Sequence, residues 1–193
     1  MIIDITKEIF TCDVFPGDPS PKKNTIKSME AGDICNLTEF SMCAHNGTHV
    51  DTPLHFVKDG KTIDEVGVEP FVGDCFVARH EGFVTAADAE SIMARAKDAG
   101  AAERILIAGK ATLLPESAKV FAEAKLKLYG NESQTVGPED DTTETHKILL
   151  GSGLVLFEGA VLTGVEEGKY FLSCAPIKLG GIEGAPCRAY LIK

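Results

Sequence analysis

Three of the chain's five histidines fall within eleven residues, in the run His45-Asn46-Gly47-Thr48-His49-Val50-Asp51-Thr52-Pro53-Leu54-His55. Neutral imidazole and carboxylate are the usual ligands of borderline divalent ions such as zinc and manganese, and an ion held this way activates water for hydrolysis. The spacing says how such a site would be built. His45 and His49 lie four apart, as on a zinc-binding helix, but Gly47, the β-branched Thr48, Val50 and Thr52, and Pro53 all oppose a helix there. The segment reads instead as extended, and strand alternation then brings His45, Gly47, His49 and Asp51 to one face. A straight strand would hold the Cα atoms of His45 and His49 roughly 13 Å apart, near the limit for sharing one ion. A bend at Gly47 is therefore expected, since glycine within a strand commonly marks one. Pro53 ends the strand and leaves His55 beyond the turn, close to the ion but outside the row of ligands. Cys43, two residues before His45, could add a sulfur ligand. His80, isolated between Arg79 and Glu81, reads as an ordinary histidine.

The elements that must position this cluster can be read from periodicity. Short strands are predicted over residues 2–5, 24–28, 37–43 and 73–78, with the turn Phe15-Pro16-Gly17-Asp18-Pro19 between the first two. Thr85 and Asp88 form a capping-box pattern that opens a helix, and Ala89, Ile92, Met93, Ala96 and Ala99 carry its apolar stripe up to Gly100. Residues 104–108 read as a buried strand. Pro115 opens a second helix with Ala118, Phe121, Ala124 and Leu128 on its apolar face and Gly130 as its stop. A short helix over residues 142–150 carries His146, and an apolar strand over 154–157 runs into Glu158. Further strands are expected over 170–175 and 187–192. Strands dominate both ends with helices between them, which predicts a mixed α/β layer structure in one domain spanning 1–193. From the residues alone, His146 is either a ligand or an ordinary helix residue. Glu158, on the face of Leu154 and Leu156, is either a buried ligand or the solvent-facing end of a strand.

Composition narrows the function classes. With 29 acidic against 19 basic residues the net charge is −10, and no cluster of Lys and Arg breaks the acidic field, so nucleic acid is excluded as a partner. No apolar run approaches the roughly 20 residues needed to cross a bilayer, so no membrane partner is expected. Met1-Ile2-Ile3-Asp4 does not read as a secretory signal, and the six cysteines show no Cys-x-x-Cys spacing, so a cytoplasmic setting with reduced thiols is expected. A paired-cysteine zinc module is disfavoured for the same reason. A serine hydrolase is disfavoured too, because Gly151-Ser152-Gly153 is a turn rather than a Gly-x-Ser-x-Gly elbow.

The pattern His45-x-Gly-Thr-His49-x-Asp51-x-Pro-x-His55-Phe56 resembles the signature of the cyclase family of metal-dependent hydrolases, which includes bacterial kynurenine formamidase. Phe15-Pro16-Gly17-Asp18-Pro19 resembles that family's N-terminal turn, His146-Lys-Ile-Leu-Leu-Gly-Ser-Gly with Glu158 its C-terminal half-site, and residues 179–188 its closing segment. The resemblance implies a compact α/β domain of the swivelling β/β/α type with a mixed sheet, assembled as a homodimer or larger oligomer. It implies that His45, His49 and Asp51 bind one divalent ion, zinc or manganese, and that Asp51 bridges to a second held by His146 and Glu158. His55 would transfer protons and Phe15 would face the substrate. The implied reaction is hydrolysis of a small amide at a C–N bond other than a peptide bond, foremost N-formylkynurenine to kynurenine and formate. Hydrolysis of another cyclic amide, as with isatin, and a non-catalytic binding homologue are the alternatives. The chain departs from the family in having Phe15 where a larger aromatic is common, no tryptophan, and Ala108-Gly109-Lys110 where many relatives carry an Arg-Thr pair. Amide hydrolysis is therefore better supported than any particular amide.

Overall fold

Ile-Leu-Ile-Ala at 105–108 offers no polar side for a solvent face, and the computed structural model, which describes residues 1–193, buries all four together with Arg104, whose guanidinium donates to the Pro70 and Asp74 carbonyls. In chain order the elements are β1 (Ile2–Asp4), β2 (Lys22–Lys27), β3 (Leu37–Ser41), β4 (His49–Asp51), β5 (Val72–Arg79), β6 (Gly82–Val84), α1 (Ala86–Asp98), β7 (Arg104–Ala108), β8 (Ala111–Leu113), α2 (Pro115–Glu123), β9 (Leu128–Asn131), α3 (Thr143–Gly151), β10 (Val155–Glu158), β11 (Gly168–Ser173), β12 (Gly184–Pro186) and β13 (Tyr190–Ile192). Nine strands form one mixed, curled sheet in the order β1-β13-β11-β5-β7-β9-β10-β4-β12. The central β5, β7, β9 and β10 run parallel, and the strands on either side of them are antiparallel. The result is a single α/β domain.

Alternation along the strands divides the core in two. Ile105, Ile107, Tyr129 and Leu156 face the helices and pack with Ile92 and Met93 of α1, Phe121 of α2 and Leu149 of α3. Leu106, Leu128, Phe157 and Leu172 face the opposite way, and the curl of the sheet closes Val50, Ala185 and Leu191 around them. Central parallel strands are covered on both faces, which is why they read as continuous apolar runs rather than alternating ones. The capping box at Thr85 and Asp88 forms as expected.

Three expectations about elements are corrected. The second helix stops at Glu123, with Lys125 in the left-handed region at φ 56°, so Leu128 and Gly130 lie in β9 rather than on the helix or at its stop. The apolar spacing fits a helix as far as Leu128, but pairing with β7 and β10 supplies Leu128–Asn131 with hydrogen bonds on both sides. The strand expected over 187–192 forms only as Tyr190–Ile192, because Cys187 makes a single isolated bridge to Pro176 and Arg188 and Ala189 join no ladder. The extended run expected from His45 begins only at His49, and His45 itself sits in a turn.

Candidate metal centre

β4 and β10 lie side by side and antiparallel, with Glu158 directly opposite His49 and Leu156 opposite Asp51. Val50 points into the curl of the sheet, so His49 and Asp51 project to the helix side, together with Glu158. α3 crosses above and turns His146 toward them from its first turns. His49, Asp51, His146 and Glu158 are all buried.

The bend that brings in His45 is at the expected glycine. Gly47 has φ +67°, and a Cβ there would lie 2.8 Å from Ile9 Cδ1. Gly159, just after Glu158, has φ +69° and brings its backbone so close to the Gly47 carbonyl that a Cβ would overlap it. Thr48 locks the two strands together, donating its hydroxyl to the Gly159 carbonyl at 2.6 Å and accepting the Lys7 amide at 2.8 Å. His45 therefore reaches the cluster from a turn rather than along the strand, and its ring centre lies 5.1 Å from that of His49.

Two groups of ligand atoms result, each within 4.8 Å: His49, Asp51 and Glu158, and His45, Asp51 and His55. Asp51 belongs to both. His49 Nε2 stands 3.4 Å from an oxygen of Asp51 and 3.4 Å from one of Glu158, His45 Nδ1 is 2.9 Å from Asp51, and His146 Nε2 is 3.3 Å from Glu158. His49 donates Nδ1–H to the Gly47 carbonyl at 3.2 Å, which leaves its Nε2 lone pair turned toward the carboxylates. His146 likewise places Nδ1 3.1 Å from the Thr142 carbonyl. Glu158 is steadied by the Val136 amide at 2.9 Å.

The donor set fits a divalent cation. His49 Nε2 and Asp51 Oδ2 are buried without a hydrogen-bond partner, a costly arrangement that a coordinated ion would relieve. Imidazole nitrogen with carboxylate oxygen suits zinc or manganese. The electrostatics agree. Burial disfavours charge on His45, but the Asp51 hydrogen bond and charge, with Glu183 beyond, raise its pKa to about 10. Burial likewise opposes charge on His49 and His146, and the carboxylates of Asp51 and Glu158 overcome it and raise both. Burial would raise Asp51, but His49 and His45 hold it well below the carboxylate range. Burial and the charge of Asp51 would raise Glu158, yet its hydrogen bonds to His146 and His49 lower it. Two buried carboxylates thus create a site that favours positive charge.

His55 behaves differently. Held on the turn Pro53–His55, its ring stacks on His45 at 4.2 Å, and burial lowers its pKa despite the charge of Asp51. It lines a cavity of about 200 Å³ with Phe15, Phe56, His146 and Glu158, and Phe15, Gln134 and Thr135 also border an adjoining polar cavity of about 790 Å³. Phe15 thus shares a cavity with His45, His55, His146 and Glu158. Cys43 is half-buried with Sγ 3.9 Å from Asp18 and belongs to neither ligand group. His80 is on the surface, bonded to the Phe83 carbonyl at 3.0 Å.

Sequence reasoning missed Glu183. Its carboxylate lies 3.2 Å from His45 Nε2. It stands in the closing segment that carries the family resemblance, and that was the one signal available for it.

The family model described as Putative cyclase matches residues 3–138. The chain belongs to the cyclase family. Within reach of that family, the kynurenine formamidase of Salinibacter ruber is 30% identical to it, over 98% of this chain and 96% of that protein. A solved structure described as a potential metal-dependent hydrolase with cyclase activity superposes with a TM-score of 0.81 at 26% identity, over 99% of this chain and 96% of that one. Isatin hydrolase A from Labrenzia aggregata has the same fold, with a TM-score of 0.81 at 19% identity over 99% of this chain and 93% of its own.

Proposed function

We propose that this cyclase-family chain is a metal-dependent amidohydrolase, with N-formylkynurenine its leading substrate. The observation that carries the reading is a buried His/Asp/Glu cluster beside an unlike histidine, His55, in one small cavity. His49, Asp51 and Glu158 would hold one ion, with His45, and Asp51 and Glu158 would reach toward a second held by His146. Bound there, zinc or manganese would lower the pKa of water toward about 7 and polarise the substrate carbonyl. The chain supplies the rest. Phe15 and Phe56 wall the cavity and exclude water from the aromatic part of a substrate. His55 is kept neutral by its surroundings, so it can accept a proton and pass it to the departing nitrogen, which cannot leave as an amide anion.

The relatives support the reaction class: the Salinibacter ruber protein is a kynurenine formamidase, and isatin hydrolase A acts on a cyclic amide with the same fold. Steady-state hydrolysis of N-formylkynurenine and isatin by zinc- or manganese-loaded protein tests the choice. A kcat/KM higher for the formamide supports it, and a higher value for isatin assigns the cyclic amide instead. No turnover of either in metal-replete protein would make the chain a binding homologue.

The chain is also proposed to act as a homodimer. Every residue of β2 and β3 is exposed, and this arm carries Ile26, Leu37 and Phe40, with Met29 and Ile34 between them. A lone two-stranded hairpin is at best marginal in water, and apolar side chains gathered on one arm mark a contact surface. Lys22, Lys23 and Lys27 on β2 would meet the acidic surface of a second copy, since the whole chain carries −10. Light scattering should give twice the chain mass, and the pair Ile26→Glu and Phe40→Glu should give a folded monomer. A wild-type monomer at micromolar concentration contradicts the dimer. One core between the helices and the sheet and a second inside the curl of the sheet support the swivelling β/β/α layering. The proposed setting is cytoplasmic, where the six cysteines would stay as thiols.

A further inference from the structure

Each ring in the cluster shows one nitrogen to a carboxylate of the cluster and the other to an outer acceptor. For His49 that acceptor is the Gly47 carbonyl, and for His146 it is the Thr142 carbonyl. For His45 it is a charged side chain, Glu183, with Oε1 3.2 Å from Nε2 while Nδ1 stands 2.9 Å from Asp51. His45 is also the ligand candidate with the weakest backbone support, since it lies in a turn rather than on β4.

The Glu183 main chain is fixed to the strand that supplies Asp51. Its carbonyl accepts both the Thr52 amide at 2.8 Å and the Thr52 hydroxyl at 2.9 Å, and the neighbouring Ile182 carbonyl accepts the Ile63 amide at 2.9 Å. Gly184 pairs with Asp51 across the ladder, and a Cβ on it would come within 2.9 Å of His45 Cε1 and 3.0 Å of the Val50 carbonyl. The ring of His45 thus lies over bare backbone, between Asp51 on one side and Glu183 on the other.

We propose that Glu183 is a positioning residue of the metal centre: by accepting Nε2–H of His45 it fixes that ring's tautomer and orientation, so that Nδ1 faces the ion beside Asp51. This rests on the reading above that His45 is a ligand. A carboxylate that orients a ligating imidazole raises its basicity and holds it in place, and loss of such a partner typically costs about 10- to 100-fold in metal affinity.

The test is competition of zinc, and separately manganese, against a chelator for the wild type, Glu183→Ala, Glu183→Gln, His45→Ala and the double variant Glu183→Ala with His45→Ala. Circular dichroism of each metal-free protein checks the fold. Glu183→Ala should weaken affinity about 10- to 100-fold. Glu183→Gln, whose amide oxygen still accepts from Nε2–H, should recover most of that loss. The double variant should bind no more weakly than His45→Ala, because Glu183 acts only through that ring. Wild-type affinity in Glu183→Ala while His45→Ala is impaired would overturn the assignment, and so would losses that add in the double variant. Wild-type affinity in His45→Ala would remove His45 from the ligand set and take the role of Glu183 with it.

Discussion

Replacing Asp51 with asparagine is expected to abolish metal binding at both halves of the centre and, with it, hydrolysis. Asp51 stands beside His49 and Glu158 on one side and beside His45 on the other, and it is fully buried with Oδ2 unpaired. Asparagine keeps the volume but removes the charge that attracts His45, His49 and a cation alike. The loss of affinity should exceed the roughly 10- to 100-fold typical of an outer-shell partner. Elemental analysis and titration calorimetry with zinc would measure it. Full metal content in Asp51→Asn would show that the ion sits elsewhere.

Replacing His55 with alanine should separate binding from chemistry. His55 approaches the centre from a turn, stacked on His45 rather than aimed between the carboxylates, and its pKa is lowered where those of His45, His49 and His146 are raised. A neutral imidazole at the cavity wall suits proton transfer. The variant should keep wild-type metal content and lose roughly 10²-fold or more in kcat, the usual value of general acid–base catalysis. Unchanged turnover would remove His55 from the mechanism, and lost metal would make it a ligand.

The candidate site was more legible in the sequence than its scaffold. His45, His49 and Asp51 stand out because residues able to bind metal are crowded together, and Gly47 marks the bend their convergence needs. Glu158 could be placed on the right face because alternation along β10 is regular, with Leu154 and Leu156 in the helix-side core. His146 could be put on a helix but not aimed, since only the packing of α3 turns it toward Glu158. The local pattern misled at α2, where apolar spacing continues through Leu128 although the chain has already turned into a strand; ladder partners distant in sequence decide that boundary. It also misled at His45, where a turn rather than strand alternation delivers the ring. The contact of Glu183 with His45 was not legible, because the two lie 138 residues apart and meet only through the pairing of β12 with β4.

The most direct test of the metal centre is anomalous diffraction at the zinc or manganese edge from crystals grown with that metal. A peak bounded by His49 Nε2 and the carboxylates of Asp51 and Glu158 is expected. Ordered side chains at that position with no anomalous peak, in protein supplied with saturating metal, would contradict it.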